Sequence, residues 1–429
     1  MNFSDSIPGK GQIAPNGELL AVVEGLSLCV YDTLELDKVA RWQVLDQVTQ
    51  LVWGTDSSII MCAQAKRAVV QLFNAVDPVW QAKVDLGLAG LSGAWLCPDS
   101  RQLLTVSEFQ VRLNIWSLLD RSVSYIKAPK FSGKGLGFSS DAKFMALIEA
   151  NEGTDNVGVY DTKSWELASY FEVDTHNAED LKWNPDNTAI LVWDNPVNYK
   201  LLVYSPTGEL LTKFSAYENA LGIQSVELSP SGSYIAVGSY DKKVRVLHHI
   251  TWQKLSEWSH DKEIQTGKDI HIYQEEEYRE SRDKVSSQYV LASLPVTFKI
   301  LGNNKPKGIS HLQFSHDGRY LASVSEELPN VLWIWDNVEM GIRSVLVHKH
   351  SVKSLGWSPK HTLLATATGN SNLYLWSEEG SSVCDMPFED FCAFSVEWGS
   401  DGQSLLVEYK NNFVVAYPQL EDLLHYQSQ

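Results

Sequence analysis

The side chains best suited to chemistry in this chain are histidines, cysteines and carboxylates, and their spacing assigns them no reaction. His348-Lys349-His350 would put two imidazoles on one face of a strand, and His248-His249 are adjacent. The pattern favours the plainer assignment: His348 as a structural histidine in a loop entering a strand, His350 solvated, and His248-His249 at a strand end. The five cysteines, Cys29, Cys62, Cys97, Cys384 and Cys392, are odd in number and lack any CxxC spacing. Most lie in or beside apolar runs, which predicts buried, reduced thiols of a cytosolic or nuclear protein, not a disulfide frame or a zinc site. Carboxylates are plentiful, but no pair sits in an apolar setting that would split two pKa values for acid–base work. Glu275–Glu277 reads as a charge run on a solvated face. No GxSxG, Walker A, HExxH or kinase HRD/DFG pattern occurs. The expectation is a protein without catalytic, metal-binding or cofactor-binding residues, and not an enzyme.

Charge narrows the partners. With 35 Lys and Arg against 53 Asp and Glu, the net charge is −18, which repels phosphate backbones and anionic lipid. Direct binding of nucleic acid or membrane is therefore not expected. Local basic clusters at Lys66-Arg67, at Lys127, Lys130 and Lys134, and at Lys242, Lys243 and Arg245 read as solvated faces, and none carries the aromatic interleaving that single strands require. Met1–Gln12 lacks a basic stretch leading into an apolar one, so a secretory leader is not expected. No window approaches 18 uninterrupted apolar residues, so no spanning helix is expected either.

The remaining oddity is 15 Trp in an otherwise average composition of 429 residues. A repeat accounts for it. An apolar strand, a turn of Ser/Pro/Asp/Gly type and a second apolar strand recur nine times, as in LGFSSDAKFMA from Leu136, LKWNPDNTAIL from Leu181 and LQFSHDGRYLA from Leu312. The anchors Ile13, Trp53, Trp95, Phe138, Trp183, Leu228, Phe314, Trp357 and Trp398 follow one another at steps of 40 to 45 residues, with a single step of 86. Each copy has a later alternating strand that often ends in Trp or Tyr, such as LNIWS at Leu113, VGVYD at Val157 and WIWD at Trp333. Four short strands per period of this length are the signature of a WD40-type β-propeller. The predicted fold is all-β: one closed ring of about nine degenerate four-stranded blades over 1–429, with third-strand aromatics filling the wedges between blades. Residues near Asn2–Ser6 are expected to close the last blade, because an open ring would leave strand edges exposed.

The copies are worn. A well-kept blade has an Asp before its third strand, hydrogen-bonded towards a His ahead of its first; only VGSYDKKVRVL keeps it, at Asp241. In the eighth copy Asn370 stands there instead, with His348 at the expected His position. The long step leaves 261–310 as an insertion, read as a hairpin excursion from the sixth blade, with a tenth, ruined blade as the alternative; its QEEEYRESRDK is too charged to bury and reads as a solvated helix or loop. The loops SAYENALG at Ser215 and SYDKK at Ser239 should leave one face of the ring, bringing together Tyr217, Glu218, Tyr240 and Lys242. Tyr on rigid turns offers large contact area at low entropy cost, so these four residues are the expected partner-binding set. Two other functions compete for such a ring. Nine-bladed initiation-factor subunits act on ribosomes, which the net acidity disfavours. Ubiquitin-ligase substrate receptors carry Trp-Asp-x-Arg, whereas here Trp335-Asp336 leads into Asn337-Val338.

Several stretches carry a closer likeness. MNFS, KRAVVQLFN at Lys66, RSVSYIK at Arg121, ILVWDNPVNYKLLVYS at Ile190 and SAYENALGIQSVELSPSGSYIAVGSYDKKVRVLHHITW from Ser215 to Trp252 resemble the WD-repeat-containing protein eight family, also named for lying antisense to the p-seventy-three gene. ASLPV at Ala292 and PNVLWIWD at Pro329 continue the resemblance after the insertion. It departs in the first turn, Ala14-Pro15-Asn16-Gly17, and in 261–288. The resemblance implies a non-enzymatic scaffold of the cytoplasm and cytoskeleton, at microtubule-organising centres such as the centrosome or spindle pole. It further implies a coiled-coil anchoring partner of the SSX-two-interacting type and, in fungi, a minus-end-directed kinesin. With these the family tethers microtubule minus ends, organises spindle poles and supports early ciliogenesis.

Overall fold

Alternating apolar residues bounded by turn-forming clusters give strands along nearly the whole chain, and a computed structural model describes residues 1–151, 153–265, 270–279, 285–299, 307–388 and 391–419. Among the described residues the only helical turns are the short ones at Ala65–Arg67, Gly87–Ala89 and Glu108–Gln110. The all-β class and the nine four-stranded blades anticipated from the repeat are those found. The chain forms two compact units. Gly9–Gly222 holds five blades, running Lys10–Gln43, Gln50–Asp85, Gly93–Lys127, Leu136–Glu172 and Ala178–Phe214. Met1–Pro8 with the chain from Ile223 onward holds four, at Ile223–Ser259, Ile309–Val347, Ser354–Asp385 and Ser395–Tyr417.

Each blade is an antiparallel meander whose first two strands meet at the recurring turn. In eight of the nine blades that turn holds a left-handed residue at its fourth position: Gly17, Gly232, Gly318 and Gly402 supply it freely, and Ser57, Ser100, Ala142 and Asn187 adopt it at φ of 55 to 61°. The apolar faces of neighbouring blades close on one another. Ala14, Leu28 and Trp42 pack with Trp53, Ile60 and Phe73 across the first two blades, and Leu363, Leu375 and Met386 pack with Val396, Leu405 and Val414 across the last two.

The tryptophans add a clasp that the repeat alone did not reveal. The indole on a blade's first strand donates to a carbonyl on the preceding blade's first strand: Trp53 to Gln12 at 2.9 Å, Trp183 to Gly137 at 3.0 Å, Trp357 to Gln313 at 3.1 Å and Trp398 to Gly356 at 2.8 Å. Gly137 lacks a side chain where the next indole lies, since a Cβ there would come within 3.3 Å of Trp183. Part of the Trp excess thus serves this first-strand clasp, at Trp53, Trp183, Trp357 and Trp398, and part the third-strand wedge, as at Trp335 and Trp376, both buried.

The last blade takes a strand from the opposite terminus. Asn2 pairs with Tyr417 and Phe3 with Ala416, Ser4 N–H donates to the Val415 carbonyl at 2.9 Å, and Ile7-Pro8 align with Phe413 and Asn412. Met1 and Phe3 pack on the core of the last two blades.

The insertion corrects the sequence reading. Its hairpin, His271–Arg279 with Val285–Leu291, joins the seventh blade and not the sixth: His271–Gln274 run parallel to Ser344–Val347, extending that sheet to six strands. The charged run from Gln274 is therefore largely strand, satisfying an outer edge that would otherwise lie open; its residues 280–284 lie outside the described ones.

Candidate interaction surface and its polar locks

The site residues sit on blade-entry loops and on the turns between second and third strands, and buried polar locks hold those loops in place. The best-formed lock was invisible in the repeat. His260, buried, takes the Ser323 hydroxyl at its Nε2 (2.8 Å) and meets the Lys242 carbonyl at Nδ1 (3.1 Å), while the Trp335 indole donates to Ser323 Oγ at 2.7 Å. One hydroxyl thus links a histidine to the third-strand Trp of the seventh blade. Residues 261–308 separate His260 from that blade's first strand, which is why a fixed spacing search passes over it. Burial pushes its pKa down from 6.5 to about 4, so the imidazole is neutral.

The inserted hairpin builds the second lock. Glu275 does not lie on a solvated face as its neighbours suggested: it is buried, accepts from the Tyr374 hydroxyl at 2.7 Å and from the Lys349 N–H at 2.8 Å, and Asn370 Nδ2 donates to the same Tyr oxygen at 2.7 Å. Tyr289 places its hydroxyl 3.2 Å from His348 Nδ1, and Ser286 donates to Asp385 at 2.8 Å. The rings of Tyr289, His348 and Tyr374 meet at 4.5 to 6.0 Å. The eighth blade, whose turn Asp is Asn370, therefore borrows its carboxylate from the insertion. His348 is fully enclosed and held neutral by burial, its pKa lowered to about 3, while His350 is exposed, so the two form no ligand pair. Among the described residues no group of three or more His, Cys, Asp or Glu is arranged to hold a metal ion.

Asp241 departs from the expected pattern too. Its partner is Arg245, four residues on, whose Nη1 lies 3.2 Å away and whose Nε reaches Glu257 at 3.1 Å, in place of a histidine. Lys243 and Lys254 hold Glu257 at a pKa of about 2. In the fourth blade a lysine does the same work: Lys130 is nearly buried, 2.7 Å from Asp155 and 2.9 Å from the Ala178 carbonyl, which corrects its assignment to a solvated face. For Asp241 the sequence carried a signal, an arginine four residues on; for Asp155 the partner Lys130 lies 25 residues earlier, beyond what spacing within the repeat could choose.

Of the four expected partner contacts, Tyr217 and Glu218 belong to the Gly9–Gly222 unit and Tyr240 and Lys242 to the other. Tyr217 is half-buried, edge-on to Tyr199 at 4.7 Å, with its hydroxyl donating to the Leu221 carbonyl at 2.5 Å; Glu218 is exposed. Tyr240 is half-buried, and Lys242 reaches Glu327 at 2.6 Å, an ion pair that lowers the Glu327 pKa. Both loops are thus rigid, each fixed by its own contacts.

Four-stranded blades at this period, one of them locked by His260, Ser323 and Trp335, define a WD40-repeat protein of the β-propeller class. The WD40 family, described as "WD domain, G-beta repeat", matches residues 208–247 and 342–377. WD repeat-containing protein WRAP73 of Mus musculus is 35% identical over 448 aligned residues, covering 98% of this chain and 97% of its own, and the chain belongs to that family. An uncharacterised WD repeat-containing protein of Schizosaccharomyces pombe is 23% identical over 86% of this chain and 80% of its own. The crystal structure of the C-terminal WD40 domain of Sif2 aligns over 97% of this chain and 98% of that one, with a TM-score of 0.56 at 13% identity, a likeness of fold.

Proposed function

We propose that this protein is a non-enzymatic scaffold at microtubule-organising centres, where it holds a coiled-coil anchoring protein and, with a minus-end-directed kinesin in some cells, tethers microtubule minus ends at spindle poles. In ciliated cells the same assembly serves early ciliogenesis. The observation that carries this reading is the near full-length similarity to the WRAP73 protein of mouse. Rigid, individually locked loops suit such a role, since a scaffold presents contact area without reordering itself. We assign the coiled-coil partner's contacts to Tyr217 with Glu218 at the rim in the Gly9–Gly222 unit and to Tyr240 with Lys242 in the other unit, each loop taken by itself. Affinity purification of a tagged chain, together with its localisation in dividing cells, tests the function. Recovery of a coiled-coil component and signal at the poles are expected; recovery of ribosomal subunits without any pole component would overturn it. Truncation of a central Tyr typically weakens binding thirtyfold or so, about 2 kcal/mol. Tyr217→Ala and Tyr240→Ala, measured separately beside a melting curve, show which loop carries the contact.

A further inference from the structure

We propose that the loop tips of the third blade, within the Gly9–Gly222 unit, form a docking surface for an acidic peptide segment bearing large apolar side chains. This surface is distinct from the loops of Tyr217 and Tyr240. Leu88, on the turn Gly87–Ala89, is fully exposed, and Phe109, on the turn Glu108–Gln110, is 91% exposed. The two turns touch: the Glu108 side chain lies so close over Gly90 that a Cβ there would sit 2.5 Å from it. Phe109 and Gln110 both hold left-handed backbone, at φ of 65° and 54°, conformations that are sterically costly for non-glycine residues and that cluster at binding sites. An aromatic ring held out in water on a strained turn has no packing reason to be there, and Val111 beside it is exposed as well.

Charge identifies the occupant. Arg112 and Lys127 stand directly opposite each other in the ladder, a repulsive cross-strand pair, and neither makes an ion pair among the described residues; Arg112 lies over the Tyr125 ring at 5.8 Å. Lys66 and Arg67 adjoin the same tips, because the Leu86 N–H donates to the Ala68 carbonyl at 2.9 Å just after their turn. Among the described residues, Asp46 faces Arg67 at 3.9 Å, Asp85 faces Lys83 at 3.1 Å, Glu108 covers Gly90, and Glu149, whose neighbour Ala150 donates to the Ala128 carbonyl at 3.1 Å, is buried against the Tyr160 hydroxyl. Of the five cations here, Arg67 and Lys83 are paired, whereas Lys66, Arg112 and Lys127 have no ion pair among the described residues, on a chain whose net charge is −18. A segment with acidic residues around Leu, Phe or Trp would relieve the Arg112/Lys127 repulsion and cover both apolar tips. An anionic membrane would meet the same tips, but the rest of the chain would repel it.

The test is selection of displayed random peptides on the full chain, followed by fluorescence anisotropy with the selected peptide. The expected peptides are rich in Asp and Glu with large apolar residues. Their affinity should fall roughly tenfold or more on Leu88→Ser/Phe109→Ser, whose melting curve stays at wild type because both side chains are exposed. Arg112→Glu/Lys127→Glu should weaken binding at low salt, with the difference shrinking by about 0.5 M salt. Selection of no peptide, of basic peptides, or of peptides that bind both variants as well as wild type would overturn the proposal. So would sedimentation of wild type with phosphatidylserine vesicles that both variants lose.

Discussion

His260 and His348 are two imidazoles that the fold keeps uncharged, one linking Ser323 to the sixth blade's Lys242 carbonyl and the other beside Tyr289. Their folded pKa values lie below the ordinary 6.5, at about 4 and about 3, because burial penalises the cation. The unfolded chain therefore takes up protons first. Each contribution is whole above about pH 6.5 and is withdrawn as pH falls from there towards the folded value, on the order of 2 kcal/mol per histidine by about pH 5. Urea midpoints taken above about pH 7 and near pH 5 should show this loss. His260→Gln should start lower at neutral pH yet lose less on acidification; an equal loss in both proteins would show that His260 is not the group titrating.

Strands borrowed across long stretches of sequence decide two sheets. The outer edge of the last blade is completed by Asn2–Phe3, with Ser4 exchanging bonds with Val415: N–H to carbonyl at 2.9 Å, and Val415 N–H to Ser4 Oγ at 2.9 Å. Deleting Met1–Ser6 removes those bonds, at about 1 kcal/mol each, and the packing of Met1 and Phe3 on the last two blades. The loss should be roughly 3 kcal/mol and the melting temperature should fall by about 6–12 °C. Phe3→Ala alone should cause about half of it. A melting temperature unchanged by the deletion would mean that the strand contributes nothing to closure. The hairpin His271–Leu291 is the other loan, covering the seventh blade's edge and lending Glu275 to the eighth.

At the scale of the molecule, charge sets which surfaces this protein meets unaided. A net charge of −18 opposes acidic tubulin tails, so the scaffold function proposed above requires a partner to make the microtubule contact. Co-sedimentation of the purified chain with microtubules should be negligible at low salt, where electrostatics are least screened, and should appear when the coiled-coil partner is added. Pelleting of the chain alone would remove the need for an adaptor. The third-blade tips, where Lys66, Arg112 and Lys127 have no ion pair among the described residues, are where the proposed acidic segment would escape this repulsion.

The sequence by itself determined the repeat, the all-β class, the number of blades and the family. Those properties rest on alternation of period two, on turns rich in Ser, Pro, Asp and Gly, and on a unit that returns every 40 to 45 residues; all are local, so they survive in the order of residues. Tertiary structure decided what the unit does with its polar groups. His260 serves a blade beyond the insertion, Asp241 takes Arg245, Asp155 takes Lys130, and Glu275 leaves its charged neighbours to meet Tyr374. The first-strand indoles reach a neighbouring blade's carbonyl, a partner a full period away. A composition-based reading assigns a charged run to solvent because it prices each carboxylate alone; a buried one is stable only when specific donors arrive from elsewhere in the chain. That arrival is a property of strand pairing across long loops, which no spacing within the repeat records.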